Sequence, residues 1–269
     1  IFDDFEELIF PNHPLGRNIL GKPERLRQFR SEDALAFTSR HYRPDNMVFF
    51  VQGNVTFQRV KRLVEKATGD IPALSTERKR IAPLPYIPQS LTLHRDTHQA
   101  HVMIGSRGYD AHNNKRTALY LLNNLLGGPG MNSRLNVSLR ERSGLVYNVE
   151  ANLTSYTDTG VFCIYFGADH QDVERCIRLV HKELKRLREK PLSPAQLAAA
   201  KKQLIGQIGV ARDNAESTAL DMGKAFLHYG KMEAPQEIFH RIEALTAHDL
   251  WEVSNEMFAE DYLSTLIYK

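Results

Sequence analysis

A short hairpin followed by almost uninterrupted helix is the feature that most constrains this fold. Two strand-like runs, Val146 to Thr154 and Gly160 to Ala168, flank a turn at Tyr156 to Thr159, and connections this short join antiparallel neighbours. From Asp172 onward the sequence is helical almost to its end, and the first of these helices has one apolar stripe. Strands followed by helices predict an α+β fold: a largely antiparallel sheet with helices packed on one face.

A proline-rich stretch divides the chain. Residues 72–89 contain four prolines and a charged run, which is typical of a linker. Before it, an amphipathic helix spans Ile1 to Phe10, and the apolar run Met47 to Gln52 predicts a strand buried on both faces. We therefore expect residues 1–71 to be the end of a similar first domain, 72–89 the linker and 90–269 the second domain. Because the first residue, Ile1, stands inside a helical pattern, we expect a fragment of a longer protein.

Composition and charge exclude several classes of protein. Hydrophobic residues make up 42% and charged residues 25% of the 269 residues, which is ordinary for a folded globular chain. The net charge of +3 is spread along the chain, and the densest basic stretch, Lys182 to Lys190, lies on the exposed side of a predicted helix, so nucleic acid is not an expected partner. No apolar run approaches the roughly 20 residues that span a bilayer, so no membrane partner is expected. The compartment is not readable: cytoplasmic is the default, and periplasmic follows if a signal lies upstream.

The histidines do not predict a metal site. Neither H-E-x-x-H nor H-x-x-E-H occurs, and the nearest pattern, His240 with Glu243, supplies two ligands where catalytic zinc normally takes three from the protein. His94, His98 and His101 have a spacing that would converge on a helix, but their neighbours predict strands. Surface histidines are the favoured interpretation of this cluster.

Arg140 and Tyr147 are the candidate catalytic residues. They lie in the stretch Leu125 to Val149, where a capped helix from Ser133 is followed by a glycine turn and a strand. A guanidinium and a phenol at one end of a sheet could donate hydrogen bonds to a carbonyl oxygen that becomes an oxyanion. Alternatively, Arg140 complements the helix C-terminus and Tyr147 belongs to the core. The Gly127 to Gly130 loop fits a cavity wall and simple helix termination equally well.

This stretch also resembles a known family signature. The patterns G-G-x-G-x-x-S-R-L and L-R-E-x-x-G-L-x-Y are similar to the second-domain signature of pitrilysin/insulinase metallopeptidases, especially the branch with mitochondrial processing peptidase and its bacterial relatives. Further landmarks stand in family order along the chain: His13 to Arg17, Leu20-Gly21, Gln52 to Asn54, Gln99 to His101, and Asp158 to Gly160.

The resemblance implies a zinc-dependent metalloendopeptidase whose zinc is bound in the complete protein by an H-x-x-E-H motif upstream of this chain. Arg140 and Tyr147 match the family's Arg/Tyr pair, which implies that they bind the peptide substrate and support the tetrahedral intermediate. No zinc is expected on this chain, and alone it is expected to be inactive. The resemblance also implies a homodimer or heterodimer. The alternatives are a non-catalytic partner or scaffold subunit of such a dimer, and a peptide-binding module.

Overall fold

The structure, a computed structural model, describes residues 1–71 and 80–269 and contains two compact units. The sheet unit comprises Ile1–Leu20, Ala82–Ile205 and Phe239–Lys269. The helical unit comprises Gly21–Ile81 and Gly206–Ile238. Each unit is described on its own below.

The described part of the chain contains α-helices, strands and a π-helix. The α-helices are α1 Phe2–Ile9, α2 Pro23–Leu26, α3 Ser31–His41, α4 Phe57–Thr68, α5 Arg116–Gly127, α6 Val173–Glu189, α7 Pro194–Ala211, α8 Ala215–Tyr229, α9 Pro235–Ala244 and α10 Ala247–Met257. The strands are β1 Ser90–Leu93, β2 Ala100–Gly108, β3 Val146–Ser155, β4 Gly160–Ala168 and β5 Ser264–Tyr268. The π-helix is Asn136–Glu141.

The strands of the sheet unit form one five-stranded sheet in the order β1-β5-β2-β4-β3. β3 and β4 form the predicted antiparallel hairpin, β2 pairs antiparallel with both β4 and β5, and β1 pairs parallel with β5. The apolar residues of β4 form a nearly continuous run, and those of β2 run from Val102 to Ile104, which favours strands buried on both faces. The predicted α+β class with a largely antiparallel sheet is confirmed.

One face of the sheet carries the larger helices. Residues directly opposite in an antiparallel pair share a face, so Ile104 of β2 and Ile164 of β4 project together. Phe162 projects from the same face, and its ring lies 5.1 Å from that of Phe258, just beyond α10. α5, α6 and α10 pack together over this face.

The other face of the sheet is covered by α1. Phe5, Ile9 and Phe10 are fully buried against Met103 of β2 and Leu266 of β5. Burying side chains of this size contributes roughly 1.5–3 kcal/mol each. The helix assigned by sequence to the preceding domain therefore packs on the sheet of this unit. The proposed domain boundaries at residues 71 and 90 stay a prediction.

The helical unit corrects one sequence prediction. Residues 47–52 form no strand, and Met47, Phe49 and Val51 are exposed. A strand needs a neighbour for its backbone hydrogen bonds, and no other described segment pairs with this run. Residues 72–79 of the predicted linker lie outside the described residues. Among the described helices, none has the length and apolarity that a membrane crossing requires.

Candidate functional site

Arg140 lies on the π-helix. The backbone N–H of Arg142 donates a hydrogen bond of 3.0 Å to the carbonyl of Val137, five residues earlier. The Ser143 hydroxyl donates one of 2.8 Å to the carbonyl of Ser138. Ser133, predicted to cap this helix, is instead buried, and its hydroxyl has no partner among the described residues. A single π-helical turn is frequently found at functional sites because it rotates the side chains out of α-helical register.

A turn at Gly144 connects Arg140 to the sheet. Gly144 has a φ of 62°, a left-handed conformation that costs least for glycine. Its N–H donates a hydrogen bond of 2.9 Å to the carbonyl of Arg140, and the N–H of Leu145 donates one of 3.0 Å to the carbonyl of Leu139. The chain thus folds back on the last turn of the π-helix before β3 begins.

Tyr147 sits on a β-bulge at the start of β3. Val146 pairs with Ala168 and Val149 with Phe166, so three steps along β3 correspond to two along β4. The extra residue breaks the alternation, because Val146 and Val149 are both buried while Tyr147 and Asn148 between them are both exposed. Bulges re-aim side chains and are common beside active sites.

The side chains of Arg140 and Tyr147 are not covered by other described parts of the chain. Tyr147 is 84% exposed, so the alternative that places it in the core is wrong. Arg140 is exposed in the last turn of the π-helix, where a cation also complements the helix dipole. Neither side chain makes a hydrogen bond or ion pair with any described residue. Arg140 lies at the start of the Gly144 turn, and Tyr147 lies two residues, about 7 Å of extended chain, beyond Leu145 at its end. The two side chains are therefore attached on either side of one turn.

The glycine loop has a packing reason that sequence analysis missed. A Cβ on Gly127 would lie 2.5 Å from the backbone N of Ala151. Only glycine, which has no Cβ, lets the end of α5 lie this close to β3. Beside it, the buried Asn123 donates from Nδ2 to the carbonyl of Ala151 at 3.0 Å. Close packing against β3, a reason additional to helix termination, therefore requires the first of these glycines.

A pocket of about 450 Å³ opens on the α1 side of the same hairpin. Phe2, Glu6, Asn152 and Cys163 are among its lining residues. Burial raises the pKa of the Cys163 thiol to about 12, with Glu150 and Glu6 adding to the shift. The thiol is therefore protonated at neutral pH and packs as a small apolar group rather than as a nucleophile.

The described residues do not form a zinc site. Over residues 1–71 and 80–269, no group of three or more His, Cys, Asp or Glu side chains is placed to hold a metal ion. His94 and His98 are exposed, and His101 shares a hydrogen bond of 2.8 Å with the hydroxyl of Tyr165. A metal implied by the family resemblance is thus not matched by a donor set in this part of the chain.

Sequence comparisons place this chain beside zinc proteases. A family model described as "Peptidase M16 inactive domain" matches residues 28–204. An "Uncharacterized zinc protease YmxG" of Bacillus subtilis is 29% identical, over 99% of this chain and 64% of its own length. An "Uncharacterized zinc protease" of Rickettsia bellii is 27% identical over the same shares. The chain thus spans about two thirds of the length of these curated relatives.

Solved structures share the fold. A peptidase M16 inactive domain from Pseudomonas fluorescens superposes with a TM-score of 0.84 at 17% identity, over 99% of this chain and 64% of that one. A protease from Helicobacter pylori gives 0.86 at 20% identity, over 97% and 64% of the two chains. The fold, the signature in residues 127–147 and a family model that covers more than half of the chain agree, and the chain belongs to the peptidase M16 family.

Proposed function

We propose that this chain is the substrate-binding part of a zinc metalloendopeptidase, in which Arg140 and Tyr147 bind a peptide and stabilise the tetrahedral intermediate. One observation supports the proposal above all. The two side chains lie on either side of the same hydrogen-bonded turn, both are exposed, and neither has a partner among the described residues. Surface donors without an internal partner are available to a ligand.

The chemistry needs donors of this kind. When water adds to a peptide carbonyl, the carbon becomes tetrahedral and its oxygen takes on a full negative charge. The Arg140 guanidinium is positively charged at any physiological pH, and the Tyr147 hydroxyl donates one hydrogen bond. Donors aimed at the oxygen stabilise the charged intermediate more than the neutral substrate, which lowers the barrier.

The zinc of such an enzyme has to be bound elsewhere. The described residues contain no suitable donor cluster, while the relatives named zinc proteases are longer than this chain. We propose that the metal and the residue that activates the water belong to the part of the protein that this chain does not span. On this proposal the chain alone binds peptide but does not cleave it.

A non-catalytic partner subunit is the second candidate. The missing donor cluster among the described residues is compatible with it, because a subunit without its own zinc can present Arg140 and Tyr147 to another chain. A structural neighbour at 18% identity and a TM-score of 0.86 belongs to "Complex III2 from Candida albicans", which shows the fold alone. Mixing experiments distinguish the two candidates, since only a partner subunit needs a second, different chain for activity.

Substitutions in the full-length protein test the proposal. Tyr147→Phe and Arg140→Gln should each lower kcat by roughly 10²- to 10³-fold, the usual effect of removing one oxyanion donor. Zinc content measured by atomic absorption should not change. Tyr120→Phe and Arg175→Gln are matched controls, since they make the same chemical changes at exposed positions on α5 and α6. Wild-type kinetics for both test variants would reject the catalytic role, and weaker peptide binding with unchanged kcat would indicate a peptide-binding module.

A further inference from the structure

A second cavity in the sheet unit is rich in arginine. It has a volume of about 340 Å³ and lies between the π-helix region, α6 and the start of α7. Its lining includes Arg134, Ser138, Arg142, Glu183, Arg186 and Gln196. Polar and charged groups thus dominate a cavity that the proposed peptidase chemistry does not use.

The charges around this cavity do not balance. Three guanidinium groups face one carboxylate, that of Glu183, which leaves a formal charge of +2. Glu183 is only 6% exposed, and its Oε1 lies 2.5 Å from Nη1 of Arg186. That ion pair leaves Arg134 and Arg142 without a carboxylate of their own in the cavity.

Arg134 is the member with the greatest need of a ligand. It is half-buried, and its five N–H donors make no hydrogen bond to any described residue. Burial lowers the pKa of Arg134, the nearby Glu183 opposes that shift, and the like charge of Arg186 adds to it. A half-buried cation is only partly solvated, and an anion in the cavity would supply both the opposite charge and hydrogen-bond acceptors.

Two neutral side chains complete the donor set. The Oε1 of Gln196 accepts a hydrogen bond from the backbone N–H of Ser193 at 3.0 Å. The amide nitrogen of Gln196 has no described partner and remains available as a donor. The Ser138 hydroxyl also makes no hydrogen bond to a described residue. Ser138 on the π-helix and Arg142 just beyond its end both line the cavity, whereas Arg140, two residues from each, does not.

We propose that this cavity is a binding site for a doubly charged oxyanion of the phosphate type, held by Arg134, Arg142 and Arg186. The formal charge of +2 matches a dianion. Guanidinium groups bind such oxygens through parallel N–H···O hydrogen bonds, and the Ser138 hydroxyl and Gln196 amide are placed to donate two more. The bound ion would link the π-helix to α6 and α7.

Calorimetric titration of the full-length protein with inorganic phosphate tests the site. Sodium chloride keeps the ionic strength constant, because unspecific attraction to basic surfaces is screened equally by both salts. We expect saturable binding, and Arg142→Gln should weaken it by about tenfold or more, since a hydrogen bond to a charged group is lost. The side chain of Arg142 is exposed and makes no hydrogen bond or ion pair with a described residue, so this variant should fold normally.

Two further variants make the result decisive. Arg134→Gln should weaken phosphate binding at least as much as Arg142→Gln, and circular dichroism shows whether it is folded. Arg175→Gln removes the same charge from α6 outside the cavity and should change the affinity by less than about twofold. The proposal is overturned if no saturable binding is seen, or if Arg142→Gln binds phosphate as the wild type does.

Discussion

The guanidinium of Arg107 donates to the backbone carbonyl of Ile9 from both Nε and Nη2, at 3.3 and 3.1 Å. The same group lies 5.0 Å from the centre of the Phe10 ring and donates from Nη1 to the carbonyl of Leu84. One side chain of β2 thereby donates hydrogen bonds to backbone carbonyls at the C-terminal end of α1 and in the segment that leads into β1. This contact holds α1 on the sheet face that the larger helices leave open.

Replacing Arg107 should therefore destabilise the protein substantially. Arg107→Met retains the aliphatic part of the side chain but leaves the carbonyl of the buried Ile9 without its donor, and we expect a loss of about 2 kcal/mol in the free energy of unfolding. Arg95→Met is the matched control, since Arg95 also joins α1 to the sheet, through Asp4 at 3.5 Å, but is exposed. The control should lose less than about 1 kcal/mol. Urea unfolding measures both, and equal losses would contradict the assignment.

A methyl group on Gly127 should be destabilising for a different reason. Its Cβ would lie 2.5 Å from the backbone N of Ala151, and backbone of a paired strand does not give way easily. We expect Gly127→Ala to cost about 1–3 kcal/mol through overpacking. Gly206→Ala on α7 meets nothing within 4 Å and should stabilise the helix by roughly 0.5–1 kcal/mol. Opposite signs in thermal melts of the two variants are the expected result.

The sheet unit was predictable because its patterns are local. β4 has the predicted bounds Gly160 to Ala168, since a glycine after a short turn and an unbroken apolar run specify both its ends. The run Met47–Gln52 has the same apolar character, yet it forms no strand in the structure. A strand is a property of a pair, and the sequence of one partner cannot show whether the other is present.

The sequence suggests candidate site residues but not the geometry around them. The family resemblance named Arg140 and Tyr147 as the candidate pair, which stays a prediction, whereas the π-turn and the bulge between Val146 and Val149 each insert one residue into regular structure. Such insertions leave composition unchanged and barely disturb the hydrophobic period, so no local signal reports them. The sequence did contain one indirect sign, because two polar positions, Tyr147 and Asn148, separate buried Val146 from buried Val149.

The capping box of α10 predicts a specific pH dependence. Asp249 accepts hydrogen bonds from the backbone N–H of Thr246 at 2.7 Å and from its hydroxyl at 2.8 Å, and these hold the pKa of Asp249 below its usual value. A depressed carboxyl pKa stabilises the fold above the unfolded value of about 3.9, and the contribution is lost as the pH falls through the folded pKa.

The measurement is urea unfolding between about pH 3 and pH 6, the range that brackets a carboxyl group. Wild-type stability should fall more steeply below about pH 4 than that of Asp249→Asn, which keeps a hydrogen-bond acceptor but cannot titrate. Asp169→Asn removes an exposed carboxylate that makes no side-chain bond to a described residue, and it should retain the wild-type slope. Parallel curves for wild type and Asp249→Asn would show that the capping box does not contribute in this way.

Deleting Asn148 tests whether the bulge positions Tyr147. The deletion restores simple alternation, because Val146 and Val149 would then flank Tyr147 and pair with successive positions of β4 on the buried face. The core should therefore stay intact while the twist that aims the phenol is lost. A displacement of about 1 Å at a reacting group can cost 10²-fold in rate, so we expect kcat of the full-length enzyme to fall by about that factor, with the melting temperature little changed.

Tyr147→Phe combined with the deletion should be no slower than the slower single variant, since both changes remove the same interaction. Additive losses would instead assign the bulge a role unrelated to the Tyr147 hydroxyl.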